Sequence, residues 1–155
     1  MINLFNLFVR RWYCGFSIWV ALLTLGSIAS PAKAQSKIYH PIPISSGKAI
    51  ADTLSEQDIP TGEGGFARDY YVDLKKGDQV SIDLTSDHFD TVVKLIAEDG
   101  SMVAENDDGP DGTTNSLLFT RITEDGRYIV RVLGFGETSG GKFTLKLTRL
   151  KPTQN

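Results

Sequence analysis

The chain has 155 residues, the length of one ordinary domain, with 16 basic and 19 acidic side chains and a formal charge of −3. A single cysteine excludes an internal disulfide framework, and two histidines leave a zinc site short of ligands. The acidic balance argues against nucleic acid and anionic membrane surfaces as partners.

Residues 1–34 contain Arg10, Arg11 and Lys33 and no acid, and an apolar run from Trp12 to about Ala29 leads into Ser30-Pro31-Ala32-Lys33-Ala34. A basic flank, an apolar centre and an Ala-x-Ala end are the three parts of a secretory signal peptide. The apolar run falls short of the roughly 20 residues a spanning helix needs, so cleavage after Ala34 is expected rather than retention as an anchor. Arg10-Arg11 with Tyr13 matches a twin-arginine signal poorly, which favours the general secretory route. Cys14 lies at the start of the apolar run and leaves with it. Removing residues 1–34, with three of the basic side chains and none of the acidic ones, leaves 121 residues carrying a charge near −6. A secreted or periplasmic protein without stable membrane insertion is expected.

Residues 35–47 carry Pro41 and Pro43 and read as an extended leader, because proline removes ladder donors. Residues 49–58 could hold one turn of helix. From there the apolar period is two. Tyr70, Val72 and Leu74 alternate with polar or outward neighbours, as do Val80, Ile82 and Leu84, then Tyr128, Val130 and Val132, then Phe143, Leu145 and Leu147. Each set predicts a strand with one face inward. Val92–Ala97 and Leu117–Ile122 are apolar on both faces and are expected as central strands. Turn signals separate the runs at Lys76-Gly77-Asp78, Glu98-Asp99-Gly100, Glu124-Asp125-Gly126 and Ser139-Gly140-Gly141. This pattern predicts one all-β domain over residues 48–150, a sandwich or barrel, followed by a short tail at 151–155.

The order of short motifs is more specific than any one of them. Asp52-Thr53-Leu54-Ser55 and Asp58 come first, then Asp69-Tyr70-Tyr71-Val72, then Lys76-Gly77-Asp78-Gln79-Val80-Ser81-Ile82. Ser86, Phe89-Asp90-Thr91, Leu95 and Asp99-Gly100 follow. Asn106-Asp107-Asp108, Asn115-Ser116, Asp125-Gly126-Arg127-Tyr128 and Gly141-Lys142-Phe143-Thr144-Leu145 complete the series. Over residues 45–149 this series resembles the bacterial pre-peptidase C-terminal domain. The resemblance implies a β-sandwich of jelly-roll type in an exported protein. It implies a non-catalytic accessory module associated with secreted peptidases, some relatives binding extracellular protein such as collagen, some polysaccharide and some calcium. No peptidase domain accompanies it in this chain, so it is expected to act alone or on a separate partner.

Several residues qualify as candidate sites. Asn106-Asp107-Asp108-Gly109-Pro110-Asp111-Gly112 is the most acidic loop, and a hairpin could bring Asp90 near it. Calcium takes six to eight oxygens, so Asp90, Asp107, Asp108 and Asp111 are its candidate ligands. The spacing does not fit an EF-hand, and the other reading is a turn in which Asn and Asp bond to nearby backbone N–H groups. The alternative function is that of a calcium-stabilised structural domain without a ligand of its own. Tyr71 and Phe135 are candidate ligand contacts, while Tyr70, Tyr128 and Phe119 are expected in the core. His40 and His88 are the only histidines. His88 stands among Ser86, Asp87 and Asp90, but strand neighbours face opposite ways and no G-x-S-x-G elbow exists, so no catalytic residue is assigned. Val130 is expected to face inward and Arg131 outward, with Arg131 tolerant of substitution.

Mass spectrometry of the exported protein is expected to show Gln35 as its first residue. A membrane-held species that retains residues 1–34 would identify the segment as an anchor.

Overall fold

A computed structural model describes residues 39–62, 64–110, 112–136 and 140–150. The expected signal peptide and its cut site, the leader residues 35–38, Asp111, Ser139 and the 151–155 tail lie outside the described residues. Ten strands are present among the described residues: β1 Ile42–Pro43, β2 Ala49–Leu54, β3 Ile59–Pro60, β4 Phe66–Leu74, β5 Gln79–Thr85, β6 Thr91–Ala97, β7 Met102–Asn106, β8 Ser116–Arg121, β9 Gly126–Gly134 and β10 Gly141–Leu150. No helix occurs among the described residues, and residues 49–54, where a helical turn was possible, form β2.

The strands make two sheets. One runs β1-β4-β9-β6-β7, with β3 pairing the other half of the β4 edge. The second runs β2-β10-β5-β8. Only β3 to β4 and β6 to β7 are consecutive strands within one sheet; elsewhere the chain crosses between sheets. The fold is a β-sandwich, as the period-two pattern required. All four alternating sets face its interior, each residue 5 % exposed or less. Val130 stands opposite Tyr70 on one side and Leu95 on the other, and Leu147 stands opposite Ile82. Phe143 of the second sheet meets the ring of Tyr70 of the first edge-to-face at 6.4 Å, and meets Phe89 likewise. Such pairs add about 1 kcal/mol beyond their buried area.

The expected centre of the second sheet needs correction. β6 is internal, but β8 ends its sheet and pairs with β5 alone. Leu118 and Ile122 point inward, Leu117 is half-buried, and Phe119 is 61 % exposed rather than part of the core. Two apolar faces are compatible with a central strand, but equally with an edge strand carrying an apolar outer surface.

The turns lie where the glycines are. Gly77 has φ +94° and donates its N–H to the Ile122 carbonyl at 2.8 Å, while Ile122 N–H returns to the Asp78 carbonyl. Asp125 Oδ1 accepts the Lys76 N–H at 2.8 Å, joining the β4–β5 and β8–β9 turns. Tyr128 OH closes the second turn by donating to the Glu124 carbonyl at 2.8 Å.

Val130→Asp is expected to cost about 4 kcal/mol or more, because it places an unpaired carboxylate in the fully buried centre. Urea unfolding measures this, and a loss under 1 kcal/mol would contradict the packing.

Candidate functional site

Several of the ordered motif residues meet at the two margins of the sandwich. At one margin, Asp52 faces inward from β2 and Arg68 and Tyr70 face inward from β4 of the opposite sheet. Arg68 Nε lies 2.8 Å from Asp52 Oδ2, and Tyr70 OH donates to the same oxygen at 2.8 Å. Arg68 Nη1 reaches Asp58 Oδ1 at 2.6 Å, and Asp58 Oδ2 accepts the Ser55 N–H at 2.8 Å, so the link also fixes the turn after β2. Burial opposes ionisation of Asp52. The Thr53 N–H, the Tyr70 hydroxyl and the Arg68 charge outweigh it and hold the carboxyl below its ordinary range. Burial, then the Asp52 hydrogen bond and charge, raise the Tyr70 phenol well above its ordinary value.

At the other margin the tie is neutral. Thr91 Oγ1 of β6 and Ser116 Oγ of β8 lie 2.7 Å apart, and both residues are buried. The Ser116 hydroxyl lies 2.7 Å from the Thr91 carbonyl, and Thr91 Oγ1 lies 3.1 Å from the Thr114 carbonyl. Asn115 Oδ1 accepts the Ser86 N–H, and Asn106 Oδ1 accepts the Leu117 N–H. Among the described residues, no buried side-chain nitrogen or oxygen lacks a partner.

The outer face of the first sheet carries a third polar set, absent from the sequence reading. Asp69, its side chain 1 % exposed, receives two 2.8 Å hydrogen bonds from Arg131 Nε and Nη2 of β9. Tyr39 OH donates to Asp69 Oδ2 at 2.6 Å, and burial followed by the Asp69 bond and charge pushes the Tyr39 phenol up to about 12. Arg131 does face outward as its alternation requires. Its expected tolerance is overturned, because it partners a buried carboxylate. The sequence signal was present in the register alone: Asp69 and Arg131 are direct cross-strand neighbours.

The candidate ligand and metal residues are dispersed. Tyr71 is half-buried on that same outer face, under the Arg127 guanidinium at 4.5 Å. Phe135 is exposed beyond the far end of β9, its N–H bonded to the Asp90 carbonyl. Tyr71 stands opposite Ile129, six residues from Phe135 and so about 20 Å away along the strand. The two rings therefore do not form one platform. Asp107 and Asp108 are exposed and Asp90 is half-buried; Asp111 lies outside the described residues. Among the described residues no three His, Cys, Asp or Glu side chains group as metal ligands. His88 is exposed, and its side chain lies so close over β10 that a Cβ at Gly141 would lie 2.5 Å from the His88 Cβ. Ser86 Oγ is turned to the Lys142 carbonyl and to the His88 and Phe89 N–H groups rather than to an imidazole.

Fold and ties together define a two-sheet β-sandwich module whose recurring polar residues hold the sheets to one another. Residues 67–134, from β4 to the end of β9, match the family model of the bacterial pre-peptidase C-terminal domain. The fold of this chain matches the pre-peptidase C-terminal domain of a collagenase from Bacillus anthracis at TM-score 0.56 and 11 % identity, covering 70 % of this chain and 95 % of that one. It matches a periplasmic inhibitor of g-type lysozyme from Aeromonas hydrophila at TM-score 0.54 and 10 % identity, covering 71 % and 96 %. No curated protein matches the sequence.

Two outcomes test these ties. Asp52 has a lowered pKa when folded, so its contribution is complete above its ordinary value of 3.8 and is lost as pH falls through the folded value. Wild-type stability is therefore expected to fall more steeply below about pH 4 than that of Asp52→Asn, measured by urea unfolding against pH. Arg131→Asp is expected to cost roughly 3 kcal/mol, because it strands Asp69 beside a like charge. An Asp69→Asn, Arg131→Gln double variant should recover part of the loss.

Proposed function

We propose that this domain is an exported, non-catalytic module that acts by binding another protein outside the cytoplasm. The observation that carries this reading is where the motif residues are spent. Asp52, Asp58, Tyr70, Thr91, Asn115 and Ser116 bond to one another or to backbone at the sandwich margins. An enzyme needs groups held ready for a reacting molecule. Here the hydroxyl beside the exposed histidine is occupied by backbone. Exposed apolar side chains, which mark contact surfaces when they gather, lie instead on outer strands and loops.

The fold neighbours support the choice of a protein partner. One is carried by a collagenase and the other inhibits a lysozyme. A secreted peptidase or another extracytoplasmic hydrolase is the partner that fits both, and the signal-like pattern of residues 1–34 supports export. A polysaccharide ligand is less well supported, because Tyr71 and Phe135 do not line up as a stacking platform.

Tagged Gln35–Asn155, incubated with the exported proteins of its own cell, is expected to retain one hydrolase in a stoichiometric complex measurable by light scattering. The domain alone should cleave neither protein nor peptidoglycan. Turnover by the purified domain, or retention of polysaccharide in place of protein, would overturn the proposal.

A further inference from the structure

β7 and β8 are the terminal strands of their sheets, and they adjoin at the same margin, where Asn106 Oδ1 of β7 accepts the Leu117 N–H of β8 at 3.1 Å. Each of these strands is paired on one side only. Three exposed large apolar side chains lie on them: Met102 at 54 %, Val103 at 37 % and Phe119 at 61 %. Two consecutive exposed residues on β7 have a specific cause. Leu95 opposes Ala104 but Ile96 opposes Met102, so Val103 is an extra residue in a bulge and the alternation fails there. Soluble proteins ordinarily protect such an edge with lysine, proline, a bulge or a short strand. β7 is short and carries the bulge, but has neither lysine nor proline to block a paired strand.

The ends of β7 are charged with one sign. Glu98 and Asp99 precede it, Asp107 and Asp108 follow it, and all four are exposed. Within the strand, Glu105 is matched by Lys94 at 3.1 Å, which leaves the flanking acids as the uncompensated charge. A second copy of this edge, laid parallel or antiparallel, would bring acid against acid at both ends, and like charges across an interface oppose association. The same field attracts a segment whose ends are basic. Backbone pairing on an open edge supplies affinity, and alternate side chains supply selectivity.

From these features we infer that β7 is a docking edge for an extended segment of a partner protein, apolar at its centre and basic at its ends, which adds a strand beside Met102–Asn106. The inference rests on the protein-binding reading and gives that reading a location and a partner chemistry. The segment's apolar residues cover Met102 and Val103. Its Lys or Arg residues face Glu98 and Asp99 at one end and Asp107 and Asp108 at the other.

The probe is a fluorescein-labelled peptide of alternating Val and Thr between paired lysines, with a glutamate-ended peptide as its control. The lysine peptide should bind the domain, weaken with added salt, and shift backbone amide resonances along Met102–Asn106. M102K with V103K, and separately D107K with D108K, should each weaken binding at least tenfold at unchanged melting temperature. Equal binding of both peptides, resonance shifts centred on Tyr71 or Phe135, dimerisation through β7, or variants that fold normally and bind undiminished would each overturn the inference. The captured hydrolase separates the two claims. If it binds M102K/V103K as it binds wild type, the docking edge is wrong and the protein-binding reading stands. If no protein is captured while the peptide binds at β7, the edge stands and that reading is wrong.

Discussion

The rest of the domain depends on Arg68 reaching across the sandwich. It joins a carboxylate of β2 to a carboxylate of the next turn while itself belonging to the opposite sheet, and Tyr70 adds a second bond to Asp52. Isolated ion pairs near a surface contribute little, and buried ones repay their desolvation only when their remaining hydrogen-bonding capacity is met. Here Asp52 accepts from Thr53 N–H, Arg68 and Tyr70, and Asp58 accepts from Ser55 and Arg68. The value of such a set is registry. A one-residue slip of β2 would turn Asp52 to solvent and Thr53 toward Arg68, reversing every inward residue of the strand.

That registry matters because consecutive strands mostly belong to different sheets. Few hairpins exist to set alignment locally, and pairing between distant segments closes long loops before any contact repays the cost. Polar groups at both margins offset this lack of local guidance. Thr91 and Ser116 perform at the β6–β8 side what Arg68 performs at the β2–β4 side, with hydroxyls in place of charges. The core between them is hydrocarbon and aromatic, which is non-directional. Burial drives collapse, and the margins select one arrangement from those that burial alone would tolerate.

The inward faces were legible in the sequence because one physical rule covers them. Tyr70, Val72 and Leu74, Val80 to Leu84, Tyr128 to Val132 and Phe143 to Leu147 alternate, and all are buried. The rule fails where both faces are apolar. Leu117–Ile122 looked central, yet it lies at an edge with Phe119 outward, since a side-chain pattern reports polarity and not the number of neighbours a strand has. It fails again where a pair is made by register between distant strands. Arg131 looked replaceable because alternation put it outside, and only the pairing of β4 with β9 reveals Asp69 beneath it. Tyr71 and Phe135 were individually reasonable as exposed rings, but their separation along the sheet is a property of topology that no local motif contains.

The same physics explains how 11 % identity with the collagenase domain is compatible with one fold. Alternation can be met by many apolar residues, and volume-conserving exchanges in a core cost little. The demanding positions are few, and they lie at margins and turns. Outer faces and edges are under no such demand, so they are free to differ between proteins that share the sandwich. Recognition then belongs to surfaces that the fold leaves unconstrained, and a shared fold does not transmit a ligand from one member to another. In this chain many of the ordered motif residues hold the two sheets together or close their turns. Others stay exposed at the margin where sheet pairing stops, where a bulge turns two apolar side chains outward and acids lie at either end of the strand.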